Sequence, residues 1–350
     1  MRMQRRLLLA GIGGMAVAGC GNILNKGMNK MSNIAPLKGD LFGGVEKLSP
    51  KLDDIIDPQS RLEKLASGFS WSEGPIWDAN RGQLYFSDVP QNKIYQWRED
   101  EGLRLFLDYA GLAKDGDLSL YDSAGTNGLI MGKNGDLIIA SHGKRALTRM
   151  NIDNRDEIIL SDKFKGKKFN SPNDLIEDRD GVIYFTDPPY GLKNGDQSPM
   201  KEQSVNGVYR RDINGRIDLI DDSLRRPNGI ALSPDERTLY VSNSDEARQI
   251  MKSYAISSDG KITDKGVFFD ASPFVGPNSP GLPDGMCVAK SGIIFATGPG
   301  GVFIISPKGE YLGRIRTEKA CANCTIGNDG RYLYLTISDI LARIKLRTAM

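Results

Sequence analysis

The chain has a single histidine, His142, and no G-x-S-x-G string. A serine–histidine–acid hydrolase would have one candidate base and no nucleophile elbow to serve. Cysteine is nearly as sparse. Of the four present, Cys321 and Cys324 have C-x-x-C spacing. No second such pair completes a zinc site, and the βα context of a redox motif is missing. The cysteines read as small buried or loop residues, with a Cys321–Cys324 disulfide left open. Net charge is +2, which leaves no footprint for nucleic acid or an acidic polymer. Helical periodicity over a useful length is missing beyond residue 60.

What is abundant is turn chemistry. The 350 residues include 40 glycines and 17 prolines, which favours a β-rich fold. With 39% hydrophobic and 26% charged residues, there is material for a sizeable core. The N-terminus stands apart. MRMQRRLLLAGIGGMAVAGC has a basic start and an apolar run, Leu7 to Gly19, too short to span a bilayer. It reads as an export signal. Val17-Ala18-Gly19-Cys20 resembles the lipobox of bacterial lipoproteins, which implies cleavage before Cys20 and lipidation of its thiol. A twin-arginine signal at Arg5-Arg6 and a plain cleaved or membrane-retained signal are the alternatives. The expectation is an exported, periplasmic lipoprotein anchored to the membrane. Residues 21–60, polar and without a sustained period, read as a tether, and residues 61–350 as the folded domain.

Six segments of that domain share one layout: a turn, an apolar run, a polar loop and a second alternating run. They begin at Gly82, Gly135, Gly181, Arg237, Gly292 and Gly330, at spacings of 53, 46, 56, 55 and 38 residues. Each is a β-hairpin signature preceded by another short strand-like segment: PIWD, LIMG, LIED, IALS, MCVA and CTIG. Some are followed by a fourth. Four short antiparallel strands per repeat is the unit of a β-propeller. Six units predict an all-β, six-bladed propeller. The last repeat runs out of chain after its third strand, so Arg61 to Ser70 is expected to supply the fourth and close the ring.

The residue heading the first strand of each repeat is Glu73, Asn127, Asn173, Asn228, Asp284 and Asn323 in turn. In a propeller these strands line the central channel. Their heads therefore form a ring at one mouth, made of carboxylates and carboxamides. Oxygen donors favour a hard divalent cation, Ca²⁺ above Mg²⁺ or Mn²⁺, with Zn²⁺ the poorest match. Asn-Gly and Asp-Gly dipeptides as plain turn formers are the competing explanation.

These strings resemble the SMP-30/gluconolactonase family of six-bladed propellers. WSEGPIWD, FNSPNDLIEDRDGVIYFTDPPYGL, RRPNGIALSPDERTLYVSN and LPDGMCV carry the resemblance, which covers roughly Ser70 to Ala342. It implies one axial divalent cation, usually calcium, on Glu73, Asn173, Asn228 and Asp284. It also implies Asp284 as general base, with Asn127 and His142 facing the substrate. The expected activity is opening of a lactone ring by a monomeric enzyme. A phosphotriesterase or esterase on the same site and a non-enzymatic binding propeller are the alternatives. Ser141, before His142-Gly143, departs from the acidic residue or cysteine often found there in the family. Trp71 and Trp77 flank Glu73 as candidate walls of the site, and Arg225 and Arg226 are candidate contacts for an anionic or polyhydroxy substrate.

Overall fold

The structure, a computed structural model, describes residues 39–347. The leader and Cys20 lie outside the described residues. The rest folds into six small antiparallel sheets arranged as the blades of a propeller. From channel to rim, the first blade contains Ser72–Asp78, Gln83–Asp88, Lys93–Arg98 and Gly102–Asp108. The others repeat this order, beginning at Thr126, Leu175, Pro227, Met286 and Cys321.

Burial follows position in the blade. All six residues of Gln83–Asp88 are buried, because a second strand packs on both faces against neighbouring blades. The rim strand Gly102–Asp108 buries only Gly102 and Phe106. The core is accordingly divided into apolar seams between blades. Tyr85 and Ile94 of the first blade meet Leu129 and Ile139 of the second, and Phe86 and Trp97 of the first meet Tyr334 and Leu341 of the sixth. Trp77 stacks on Tyr334 at 5.3 Å and 14°. It is a seam residue rather than a wall of the site.

Ring closure takes the expected form. Leu62–Ser67 pairs antiparallel with Ile340–Lys345, from Ile340↔Ser67 to Arg343↔Glu63. Arg343 holds this junction: its guanidinium reaches Glu63 at 2.7 Å, forms an ion pair with Glu99 of the first blade, and lies over the Tyr332 ring.

Two expectations are corrected. The fifth and sixth blades have five strands, not four. The extra strands come from the segment assigned to the tether: Gly44–Lys47 pairs with Tyr311–Arg316, and Leu41–Phe42 pairs with Leu62 and Glu63. Between them and the closing strand, a 3₁₀ turn over Pro50–Asp54 buries Leu52, and Ile55 and Ile56 follow it into the seam between the fifth and sixth blades. The polar composition of this stretch hid three apolar anchors. Cys321 and Cys324 are not bonded; it is Cys287 and Cys324, on adjacent blades, whose sulfurs approach to 3.7 Å.

Leu52→Ala should therefore cost about 2–5 kcal/mol, the range for a fully buried leucine, measured by equilibrium denaturant unfolding. A change within about 0.5 kcal/mol, as at an ordinary surface position, would return residues 41–60 to a tether.

Candidate active site

The approach to each inner strand is fixed by the strand beside it. Asp88 accepts the N–H groups of Ser70 and Trp71 at 3.0 and 3.1 Å. Asp187 accepts that of Asn170 at 2.8 Å, and Asn243 that of Arg226 at 2.9 Å. A hydroxyl one position earlier on the same strand then reaches the next blade. Ser87 donates to the Asn127 carbonyl at 2.9 Å, Thr186 to that of Asn228 at 2.7 Å, and Ser242 to that of Asp284 at 2.7 Å. The blades pack so closely at the hub that a side chain is excluded after four of the six heads, where glycine stands. A Cβ on Gly229 would lie 2.1 Å from the Asp284 carbonyl oxygen, and one on Gly285 would lie 1.9 Å from the Asn323 side chain.

The result is a cavity of about 640 Å³ at one mouth of the channel. Glu73, Asn127, Asn173, Asn228 and Asp284 line it, and so does His142. The four residues named as cation ligands and the two named as substrate contacts thus line one cavity, whereas Trp77, Arg225, Arg226 and Asn323 do not line it. Asp284 alone of the six strand heads keeps part of its surface open; the others are buried. Trp71, Val89, Pro90 and Leu282 add an apolar wall, and Tyr190 and Ser244 close one side. Arg225 and Arg226 lie outside this cavity and are paired with Asp245 and Asp196.

Asn323 is in register with the ring but has a different task. Its Oδ1 accepts the Cys324 N–H at 2.8 Å. The amide nitrogen is left for Glu73 and Asp174, whose charged forms Asn323 favours. Asp174 was not singled out from the sequence. It occupies the position that is glycine after four of the other heads, and its carboxylate turns into the channel, accepting the N–H groups of Leu175 at 2.9 Å and Ile230 at 3.4 Å. That break in the glycine pattern was the signal available.

Three carboxyl groups are therefore packed at the hub, and their protonation is strongly perturbed. Burial pushes Glu73 up to about 8, against a hydrogen bond from the Gly74 N–H at 3.0 Å and with the charge of Asp174 adding to it. Burial pushes Asp174 up to about 7. Asp284 is raised well above the usual carboxylate range by burial, then by the charges of Glu73 and Asp174. No cationic side chain is among the dominant influences on any of them. His142 goes the other way: burial lowers it to about 4, so it is neutral at physiological pH. The Asn127 amide nitrogen lies 3.3 Å from its Nε2. An amide nitrogen only donates, so Nε2 accepts and the ring proton sits on Nδ1.

This donor set fits a hard cation. Asp284 Oδ1 and Asn127 Oδ1 are buried without a hydrogen-bond partner, and both belong to cavity-lining residues. Among the described residues, no group of three or more His, Cys, Asp or Glu is arranged to hold a metal; the hub candidates are two carboxylates and two carboxamides. All are oxygen donors, the chemistry that calcium prefers.

A closed six-bladed propeller with a carboxylate and carboxamide site at its hub defines a class of proteins that work at the mouth of the channel. Within that class the chain belongs to the SMP-30/gluconolactonase/LRE-like family, whose model matches residues 71–339. It is 41% identical over 315 residues to a gluconolactonase of Zymomonas mobilis, covering 89% of this chain and 88% of the relative. It is 24% identical to a pentonolactonase of Haloferax volcanii, over 81% and 83% of the two chains. A gluconolactonase structure from Xanthomonas campestris superimposes with a TM-score of 0.75 at 31% identity, over 89% of this chain and 99% of that one.

The raised carboxyl of Glu73 has a consequence for stability. Its pKa is near 4.5 in the unfolded chain and about 8 in the folded one. The folded state thus binds the extra proton, and its contribution is full below about pH 4.5 and lost as pH rises to 8. Chelator-treated protein should melt at progressively lower temperature across that window. Ca²⁺ should reverse the loss, and Glu73→Gln should flatten the slope. A pH profile unchanged by Glu73→Gln would contradict the assignment.

Proposed function

We propose that this protein opens a sugar lactone by attack of water, with one hard divalent cation, calcium first, at the propeller hub. The coarser part, a lactone-hydrolysing enzyme acting on ester bonds, follows from its family and from the lactonases it is similar to along most of its length. The observation that carries the finer part is the convergence of Glu73, Asn173, Asn228 and Asp284 on one cavity. These four residues would hold the cation. When bound, it supplies Lewis-acid polarisation of the lactone carbonyl and stabilises the charge that develops there.

The remaining chemistry belongs to the chain. Asp284 is the proton acceptor: its carboxylate faces the cavity, and its Oδ1 has no other partner. It takes a proton from water as the water oxygen bonds to the carbonyl carbon. The proton passes to the ring oxygen when the carbon–oxygen bond breaks, leaving a hydroxy acid. His142, whose basicity burial weakens, is a hydrogen-bonding group and not a competing base. Asn127 Oδ1 is free to accept a hydroxyl of the substrate. Trp71, Val89, Pro90 and Leu282 offer an apolar surface for the ring face.

Export on a lipid anchor at Cys20 is part of the same proposal and rests on the leader's sequence. Action as a monomer belongs to the same proposal; the ring closes within one chain, so the hub draws its residues from that chain alone.

Acid release from gluconolactone tests the reading. Removal of divalent ions should abolish turnover, and Ca²⁺ should restore it. Asp284→Asn should lower kcat by about 10²- to 10⁴-fold, the usual contribution of general-base help, with the β-rich circular dichroism unchanged. Turnover indifferent to chelation would refute the cation's role. Full activity in Asp284→Asn would remove the general base.

A further inference from the structure

The orientation of a side-chain amide decides whether it offers oxygen or nitrogen to the channel. At Asn228 the surroundings settle that choice. Its Nδ2 lies 2.9 Å from Ser244 Oγ, and Ser244 Oγ donates its one hydrogen to the Pro283 carbonyl. A carbonyl oxygen only accepts, so the hydroxyl proton of Ser244 is committed there. Toward Asn228 the serine can therefore only accept. The group facing it must be the amide NH₂, and Oδ1 is turned away from Ser244. With the amide nitrogen committed to Ser244, the oxygen is the atom left to bind a ligand.

Tyr190 backs this arrangement. Its side chain lies beside Ser244 and Asn228 along the same cavity, and both neighbours act on its phenol. The loop that carries it is pinned next door: the Gly191 N–H donates to Ser171 Oγ at 2.9 Å, and Ser171 donates to the Pro188 carbonyl at 2.6 Å. Gly191 presses on His142 so closely that a Cβ would lie 2.7 Å from the histidine's Cβ. The phenol is therefore held in place by its own loop. Three blades meet here. Tyr190 comes from the third, Asn228 and Ser244 from the fourth, and the Pro283 carbonyl adjoins Asp284 of the fifth.

We propose that Ser244 and Tyr190 are positioning residues: they lock the Asn228 amide with its oxygen toward the hub and so set the hub's affinity for a divalent cation. The proposal rests on the reading of Asn228 as a ligand and adds the residues that make it one. Partners that orient a ligand typically change metal affinity by about 10- to 100-fold when removed.

The test is calorimetric titration of Ca²⁺ into chelator-stripped full-length protein. Ser244→Ala and Tyr190→Phe should each weaken Ca²⁺ binding by about 10- to 100-fold. Their metal-free melting temperatures should stay close to that of the unmodified protein. Ser244→Thr, which keeps the hydroxyl, should retain tight binding. Unchanged Ca²⁺ affinity in Ser244→Ala or Tyr190→Phe overturns the proposal, including the case in which Tyr190→Phe alters only KM for a lactone. A metal-free melting temperature that falls in step with affinity, without rescue by Ser244→Thr, overturns it in favour of a purely structural role. Absence of Ca²⁺ binding by the unmodified protein overturns the cation reading and the clamp with it. Failure of lactone turnover with the affinity pattern intact supports the clamp and counts against the lactonase reading alone.

Discussion

Closure of the ring is the constraint on which the rest of this molecule depends. When Leu62–Ser67 pairs with Ile340–Lys345, the first and last blades are joined and six inner strands face one axis. Residues as distant along the chain as Glu73 and Asp284 then share a cavity. None of the blades could assemble that set alone, since each contributes one head. Stability and site geometry are therefore coupled. Hydroxyls such as Ser87, Thr186 and Ser242, which tie each blade to the next head, serve both. The same closure is reinforced on the outside by Arg343, which ion-pairs with Glu63 of the closing strand and with Glu99 of the first blade.

The hub works against this stability. Burying three carboxyl groups with only neutral donors around them raises each pKa, which means that the ionised cluster is disfavoured in the fold. A protein selected for stability alone would place apolar side chains there, as it does in the seams a few ångströms outward. Functional sites are where such local conflict is expected. A divalent cation would relieve it, and so would protonation; the two compete for the same oxygens. The apolar wall by Trp71 and Leu282 sharpens the competition by keeping the local dielectric low.

Much of this was legible in the sequence because repetition makes position readable. PNDLIE, PNGIAL and PDGMCV place polar residues at one register, and a propeller converts one register into one ring. Glu73, Asn173, Asn228, Asp284, Asn127 and His142 were found that way or through the family strings. Whatever departs from the repeat was harder to read. Asp174 stands where glycine is the rule, and its neighbour Asn173 drew the attention. Tyr190 sits in a loop particular to the third blade, and Ser244 is the penultimate residue of a strand longer than its counterparts. The segment from Leu41 to Ile56 lies outside the repeats altogether, so its anchoring leucine and isoleucines had no pattern to betray them. The close approach of Cys287 to Cys324 depends on inter-blade geometry that spacing along one strand does not contain.

Asn228 and Asn323 show how far register alone can carry a functional assignment. Both head an inner strand, and both are asparagine. At Asn323 the oxygen is taken by the Cys324 N–H, so the nitrogen is the end left to favour the charged forms of Glu73 and Asp174. At Asn228 the nitrogen is taken by Ser244, so the oxygen is free. An amide has two ends of opposite character, and the single hydrogen bond that captures one end assigns the other. The ring position brings each residue to the hub, but the neighbour that binds its amide decides its chemistry. In a site built from carboxamides, which atom faces the cavity is therefore set as much by residues such as Ser244 and the Cys324 backbone as by the ring itself.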